Sequence, residues 1–387
     1  MKEPLYHIIL KKIIPYKLRL LFRPFYYFIL ENLSFNKNIQ FIITSTLKDK
    51  KPILVFLPIL EWDLFFQRPQ HFLVELSKRG FTCIFCTPFF SHNNFELKEV
   101  QENIYLCNNV LYLKNLTNPI IYLISPNCYR YLKLFQTKFV FYDYVDDLNI
   151  FGEDITRLEK LHHRLIRQAN IVASVSPRLH EELKKDRSDA LLVSNGVTLS
   201  DFKPPYRKPK DMEKVFLNKK PIVGFYGSFG KWLDYDLINY LTDVCRDLNF
   251  VFLGDGSFLS KIKQSENVFN LGYKDYFELK NYLSCFDICF IPFKNDSLAN
   301  AASPVKLFEF FSLGKPVVTL DIPSWKQYVG ILPSKTYQEF AQNLYKALIL
   351  AKNKRFIALC KNIAQNNTWS KKIDVLVEKF QEKKAPL

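Results

Sequence analysis

Nowhere in the 387 residues does an uncharged apolar run reach the roughly 18 residues that a spanning helix needs, so the chain is expected not to cross a membrane. The first fifty residues also lack a long uncharged apolar core followed by small residues, and no signal peptide is expected. Acidic residues are in deficit. Against 54 Lys and Arg stand 38 Asp and Glu, and the net charge of +16 points to anionic partners: phosphorylated substrates, acidic lipid or nucleic acid. Of these, nucleic acid is disfavoured, because no RNP, KH or helix-turn-helix pattern is present. Cysteine pairs with metal-ligand character are missing too. Cys83 and Cys86, the closest pair of the eight, lie in the strand-like run 81–87, where an odd spacing turns them to opposite faces. Cys285 and Cys289 have no companion Cys or His nearby. Free thiols in a reducing cytosol and no metal site are expected.

What is present excludes a disordered chain: 48% of residues are hydrophobic and 24% charged, over a length that suits two domains with a cleft between them. Residues 1–50 stand apart. Met1–Lys51 holds ten Lys and Arg against three Asp and Glu, interleaved with Tyr6, Tyr16, Phe22, Phe25, Tyr26, Tyr27 and Phe28. Such a stretch suits either adsorption at an anionic membrane surface or a helix packed on the domain with a solvated basic face.

From Lys51 strands and helices alternate, which implies mostly parallel sheets covered on both faces and an α/β, doubly wound class. Strands are predicted at 53–58, 81–88, 118–125, 138–144, 171–176 and 190–197, forming a first domain over 51–200. Three prolines and many lysines mark 201–220 as a linker. The alternation restarts in a second domain over 221–366, and a final helix follows in 367–387. In such sheets ligands bind beyond the carboxyl ends of the strands, so the loops there are the candidate sites.

The most informative stretch is 300–320, NAASPVKLFEFFSLGKPVVTL. Ser303 reads as an N-cap, Pro304 as the first helical residue, Gly314 as a left-handed stop, and Val317–Leu320 as a strand. Lys306 occupies a position where the unpaired N–H groups already make the helix end positive, and Glu309 lies in an apolar helix. Either the two form an i,i+3 ion pair, or Ser303, the first-turn N–H groups and Lys306 hold a phosphate while Glu309 accepts from a sugar hydroxyl.

Other loops add candidates. Gly227-Ser228 and Lys231 precede a helix, in a sequence that is neither GxGxxG nor a P-loop, and can cradle a pyrophosphate; Asp234 is either part of that site or a plain N-cap. Arg68 and His71, one turn apart at a strand-to-helix mouth, are candidate catalytic residues or structural ones. The run Tyr142-Asp-Tyr-Val-Asp-Asp147 resembles a metal or base site but lacks a supporting His cluster, so one of Asp146 and Asp147 is expected to be a base or polar contact.

In order and spacing, several of these segments form a known pattern. They are Trp62 with Gln67-Arg-Pro-Gln-His71, Tyr142–Asp147, and Ser176 with Asn195-Gly196-Val197 and Phe202. Gly224-Phe-Tyr-Gly-Ser228 with Trp232 and Asp234, Ser303-Pro-Val-Lys-Leu-Phe-Glu309, and Gly314-Lys-Pro-Val-Val318 complete it. The chain from about Leu54 to Trp369 thereby resembles the family 4-like, group 1 glycosyltransferases of the GT-B fold. Within that group it is similar to teichuronic-acid-type and other cell-surface polysaccharide transferases.

The resemblance implies two Rossmann-like domains facing a cleft, with a last helix that crosses back to the first domain. The second domain would hold a nucleotide-diphosphate sugar and the first a glycan or lipid-linked acceptor. Gly227, Ser228, Lys231, Asp234, Ser303, Pro304 and Lys306 would serve the donor and Glu309 its ribose, while Arg68, His71 and Asp147 are the candidate catalytic residues. It implies a retaining, metal-independent transfer without a cofactor, in the cytoplasm at the inner face of the membrane. Many members carry a further glutamate where this chain has Ala301, near the transferred sugar. The competing readings are a catalytically silent scaffold of a polysaccharide assembly complex and a sugar-nucleotide epimerase.

Overall fold

The computed structural model describes residues 36–50, 52–63, 66–88, 96–136, 138–151 and 154–387. The basic aromatic stretch 1–35, on which most of the membrane expectation rests, lies outside the described residues. The chain divides into two compact units. One comprises the chain up to Tyr144 with Asp154–Ala173 and Leu376–Leu387; the other comprises Val145–Glu153 and Ser174–Val375.

The first sheet contains β1 (Ile53–Phe56), β2 (Thr82–Cys86), β3 (Leu97–Gln101), β4 (Ile104–Cys107), β5 (Ile120–Leu123), β6 (Phe139–Tyr144), β7 (Ile171–Ser174) and β8 (Leu191–Leu192), in the order β3-β4-β2-β1-β5-β6-β7-β8. β1 pairs in parallel with both β2 and β5, which flank it, and these strands are buried throughout and apolar except for Thr82, as a sheet covered on both faces requires. The β3–β4 pair is antiparallel and was not anticipated, because Lys98 and Glu99 give its partly exposed edge strand the look of a loop. Aromatic rings fill the core: Tyr122 stacks on Phe141 at 4.9 Å and on Phe72 at 5.9 Å. The chain ends in the helix Trp369–Glu382, and in its last turns Phe380 packs against Phe81, Phe139 and Phe141.

The second sheet is parallel throughout. Its strands are β9 (Ile222–Tyr226), β10 (Asn249–Leu253), β11 (Val268–Asn270), β12 (Ile288–Ile291), β13 (Val317–Leu320) and β14 (Ile331–Ser334), in the order β11-β10-β9-β12-β13-β14. The order reverses between β9 and β12, so the loops leaving these two strands define the crevice where a doubly wound sheet takes its ligands. Those loops are joined: Asp234 N–H donates to the Pro292 carbonyl (2.8 Å) and Lys294 N–H to that of Trp232 (2.9 Å).

The segment 201–220 is packed rather than extended. Phe202, Met212 and Val215 are buried, and Asp211 pairs with Lys274 at 3.0 Å.

Candidate functional site

The helix after β12 covers Val305–Ser312 and buries Leu307, Phe308, Glu309, Phe310 and Phe311; Gly314, at φ 71°, ends it as its sequence predicts. Its N-terminus corrects the sequence reading. Pro304 is the N-cap residue, no side chain caps the helix, and Ser303 is turned elsewhere. The Ser303 Oγ accepts from the Asn195 N–H at 3.1 Å, and the Ser303 carbonyl accepts from Asn195 Nδ2 at 2.7 Å. Leu307 N–H donates to the Pro304 carbonyl at 3.1 Å, and among the described residues the N–H groups of Val305 and Lys306 are left open at the helix start.

Lys306 projects from that first turn over Gly227. A Cβ at Gly227 would lie 2.5 Å from Lys306 Cε and 2.9 Å from Nζ. The ammonium stands 5.4 Å from the Tyr226 ring, 5.9 Å from Phe293 and 6.0 Å from Phe225. Among the described residues it has no carboxylate partner, and burial pushes its pKa down to about 8. Of the two alternatives for these residues, the i,i+3 pair does not form. Glu309, 1% exposed, leaves Oε2 without a hydrogen bond, and burial, reinforced by the Asp201 charge, pushes its carboxyl up to about 8. A half-buried cation without a carboxylate and a buried carboxyl with an unbonded oxygen thus lie one turn apart, an arrangement that a ligand would relieve.

The loop after β9 is supported from below by the loop after β10. Gly227 N–H donates to the Leu253 carbonyl and Phe229 N–H to that of Asp255. Gly254, at φ 137°, lies so close that a Cβ there would stand 2.0 Å from the Gly227 oxygen. Gly254→Ala is expected to cost about 1–3 kcal/mol from backbone strain alone and to displace Gly227. Calorimetric titration with nucleoside diphosphates should show weakened binding, and unchanged affinity would remove this loop from the site. Ser228 is half-buried and Lys231 exposed. Asp234 caps the helix Tyr235–Val244 through the Leu237 N–H (2.9 Å) and accepts from the Tyr337 hydroxyl at 2.9 Å on each oxygen, so its carboxylate is already well bonded.

Arg68 and His71 are buried in the first unit, not displayed. Arg68 Nε and Nη2 grip Asp143 at 2.7 and 2.9 Å, Tyr122 donates its hydroxyl to the same carboxylate at 2.9 Å, and the guanidinium covers the Phe72 ring. His71 packs edge-on against Phe66, and burial, then Lys78, pushes its pKa down to about 3, so it is a neutral imidazole. In the second unit, burial would raise the Asp147 carboxyl, but donors from Asn149 N–H (3.0 Å), Asn149 Nδ2 (2.7 Å) and Arg178 (2.8 Å) outweigh it and hold the pKa below the usual value. A carboxylate so stabilised makes a poor general base at neutral pH. Among the described residues no cluster of three or more His, Cys, Asp or Glu is placed to hold a metal ion.

The residues that sequence reasoning overlooked are Asn195 as the partner of Ser303, the aromatic surround of Lys306, and Tyr328, which packs its ring on Phe308 and places its hydroxyl 3.4 Å from Ser303 Oγ. Asn195, Phe225 and Tyr226 lie in segments that the sequence pattern already picks out, but their contact with the helix has no local signature, since they meet it from elsewhere in the chain.

The chain is similar in sequence and in fold to known proteins. Residues 220–349 match the family described as glycosyl transferases group 1. A Bacillus subtilis (strain 168) protein, TuaH, whose name assigns it to teichuronic acid biosynthesis as a glycosyltransferase, is 31% identical over 172 residues. That match covers 42% of this chain and 43% of the relative, less than half the length of either. Among solved structures, sucrose-phosphate synthase from Thermosynechococcus elongatus aligns with a TM-score of 0.65 over 86% of this chain and 99% of its own, at 14% identity. Anabaena Alr3699/HepE, solved in complex with UDP and glucose, aligns at 0.64 over 85% and 99%, at 13% identity. The chain has the GT-B architecture of two Rossmann-like parallel-sheet domains, and its residues 220–349 are similar to the group 1 glycosyl transferases.

Proposed function

We propose that the protein is a glycosyltransferase that moves a sugar from a nucleotide-diphosphate donor to a glycan or lipid-linked glycan acceptor in cell-surface polysaccharide synthesis. One observation carries the reading: the ammonium of Lys306, without a carboxylate, held above Gly227 at the uncapped N-terminus of the helix Val305–Ser312. Positive charge at the positive end of a helix is unfavourable until an anion arrives, and a diphosphate satisfies both the lysine and the open N–H groups. Glu309, one turn further on, is suited to accept from ribose hydroxyls.

In the reaction the bond from the anomeric carbon to the distal phosphate oxygen breaks, and negative charge grows on the departing diphosphate. Lys306, Lys231 and the helix N–H groups stabilise that charge, so the transfer needs no metal cofactor on this reading. For a retaining transfer the acceptor hydroxyl attacks the face the diphosphate leaves. Its proton passes to the departing phosphate oxygen, which makes a protein base unnecessary and accords with the state of His71 and Asp147. A cytoplasmic enzyme at the inner membrane face fits the basic stretch 1–35 and the helix Lys37–Leu47 beside it, which exposes Phe41 (73%) and Ile42 (62%).

Binding and slow hydrolysis of a panel of UDP-, GDP-, ADP- and dTDP-sugars tests the proposal on wild type, Lys306→Ala and Glu309→Ala. One donor bound selectively, and lost in both variants, is expected. No donor bound by a folded wild type would favour the silent scaffold, with Ala301 as its mark.

A further inference from the structure

Asn195 belongs to no strand of the second sheet, yet it controls how the helix Val305–Ser312 begins. The local sequence favours a different start. With Ser303 as N-cap and Pro304 as the first helical residue, the Ser303 hydroxyl would accept from the N–H of Val305 or Lys306 and close the helix end. The structure instead commits Ser303 to Asn195, whose N–H donates to Oγ at 3.1 Å and whose Nδ2 donates to the carbonyl at 2.7 Å, with both residues buried.

Asn195 is itself anchored from the other side. Val197 N–H donates to the Asn367 carbonyl (3.0 Å), and Trp369 N–H returns a bond to the Val197 carbonyl (3.2 Å). Between them Gly196 lies so close to this second strand of chain that a Cβ would stand 2.8 Å from Trp369 N and 2.9 Å from the Asn367 oxygen. The turn 195–197 is thus clamped at 367–369 and holds Ser303 from a fixed base.

We propose that Asn195 is a positioning residue of the donor site: it diverts Ser303 from capping, so that the first-turn N–H groups of Val305–Ser312 stay open for a diphosphate. The inference rests on the donor-site reading above for its functional consequence, but the diversion of Ser303 is measurable without any donor. In Asn195→Ala, Ser303 is released to cap the helix and competes with the ligand for the same N–H groups. Nucleoside-diphosphate affinity is then expected to fall about tenfold, the scale of one buried hydrogen bond, and kcat/KM for the donor to fall with it.

The decisive variant is the double one, Asn195→Ala with Ser303→Ala, which removes the competing hydroxyl. Titration of UDP, GDP, ADP and dTDP into wild type, both single variants and the double, beside amide hydrogen exchange over 303–308, tests the proposal. Slower exchange at Val305 and Lys306 in Asn195→Ala, reversed in the double variant together with part of the lost affinity, is the expected result. A purely structural role for Asn195 predicts faster exchange in the single variant, still faster exchange in the double, and an affinity unchanged below the unfolding transition in both; that pattern would overturn the proposal. If wild type binds no nucleotide, the donor-site reading fails, while the exchange data still decide whether Asn195 diverts Ser303.

Discussion

Lys306→Met is expected to lower kcat/KM for the donor about 100- to 1,000-fold, the range for losing one group that stabilises transition-state charge, while raising the urea midpoint of the ligand-free protein. The two effects have one cause. Half-buried among Tyr226, Phe293 and Phe225, with no carboxylate partner among the described residues, Lys306 loses part of its hydration and lowers the stability of the fold until an anion binds. Methionine keeps the apolar stem and removes the charge. A variant that loses stability and activity together would instead mark Lys306 as a structural lysine and sink the donor site.

Dependence on pH provides the same test without a substrate. Burial, then Asp201, holds the folded pKa of Glu309 at about 8, above its ordinary 4.5. The folded protein therefore binds more protons than the unfolded chain between these values, and the Glu309 contribution to stability falls as pH rises from 4.5 to 8. Lys306 behaves oppositely. Its folded pKa of about 8 lies below the ordinary 10.5, so the penalty for burying its charge is full below pH 8 and is relieved as pH climbs toward 10.5. Together the two groups give the ligand-free protein a dip in stability near pH 8. Urea midpoints across this range should lose the falling limb in Glu309→Gln and the rising limb in Lys306→Met. A saturating nucleoside diphosphate, by pairing with Lys306, should shift the rising limb upward in pH.

How much of this was legible in the sequence follows from where the determinants lie. The helix 305–312, its stop at Gly314 and the strand after it were readable, because helix punctuation and continuous apolar runs are local signals. The β3–β4 pair was not, since its charged edge strand has no apolar face to declare. Ser303 was read as a cap for sound local reasons and is overruled by Asn195, 108 residues earlier in the chain. Lys306 and Glu309 stand out in the sequence as charges in unusual places, but i,i+3 spacing cannot say whether two side chains meet; here the ammonium turns to the aromatic rings and Gly227 instead. Arg68 had the opposite fate. A strand-to-helix position suggested a displayed side chain, and its buried partner Asp143 stands 75 residues away.

That ion pair sets the second large effect. Arg68→Met should cost about 3–5 kcal/mol of stability, as breaking a buried pair by removing one partner does. The fully buried Asp143 would keep the Tyr122 hydroxyl and lose the bidentate guanidinium. Adding Asp143→Leu should restore most of the loss, because replacing both partners by apolar groups leaves no orphaned charge. Urea unfolding of the two single variants and the double one measures the coupling. Nucleotide binding in the second unit should remain at the wild-type level in every variant that is folded. If Arg68 instead acts on a reacting substrate, kcat would collapse while the urea midpoint held, and the double variant would recover nothing.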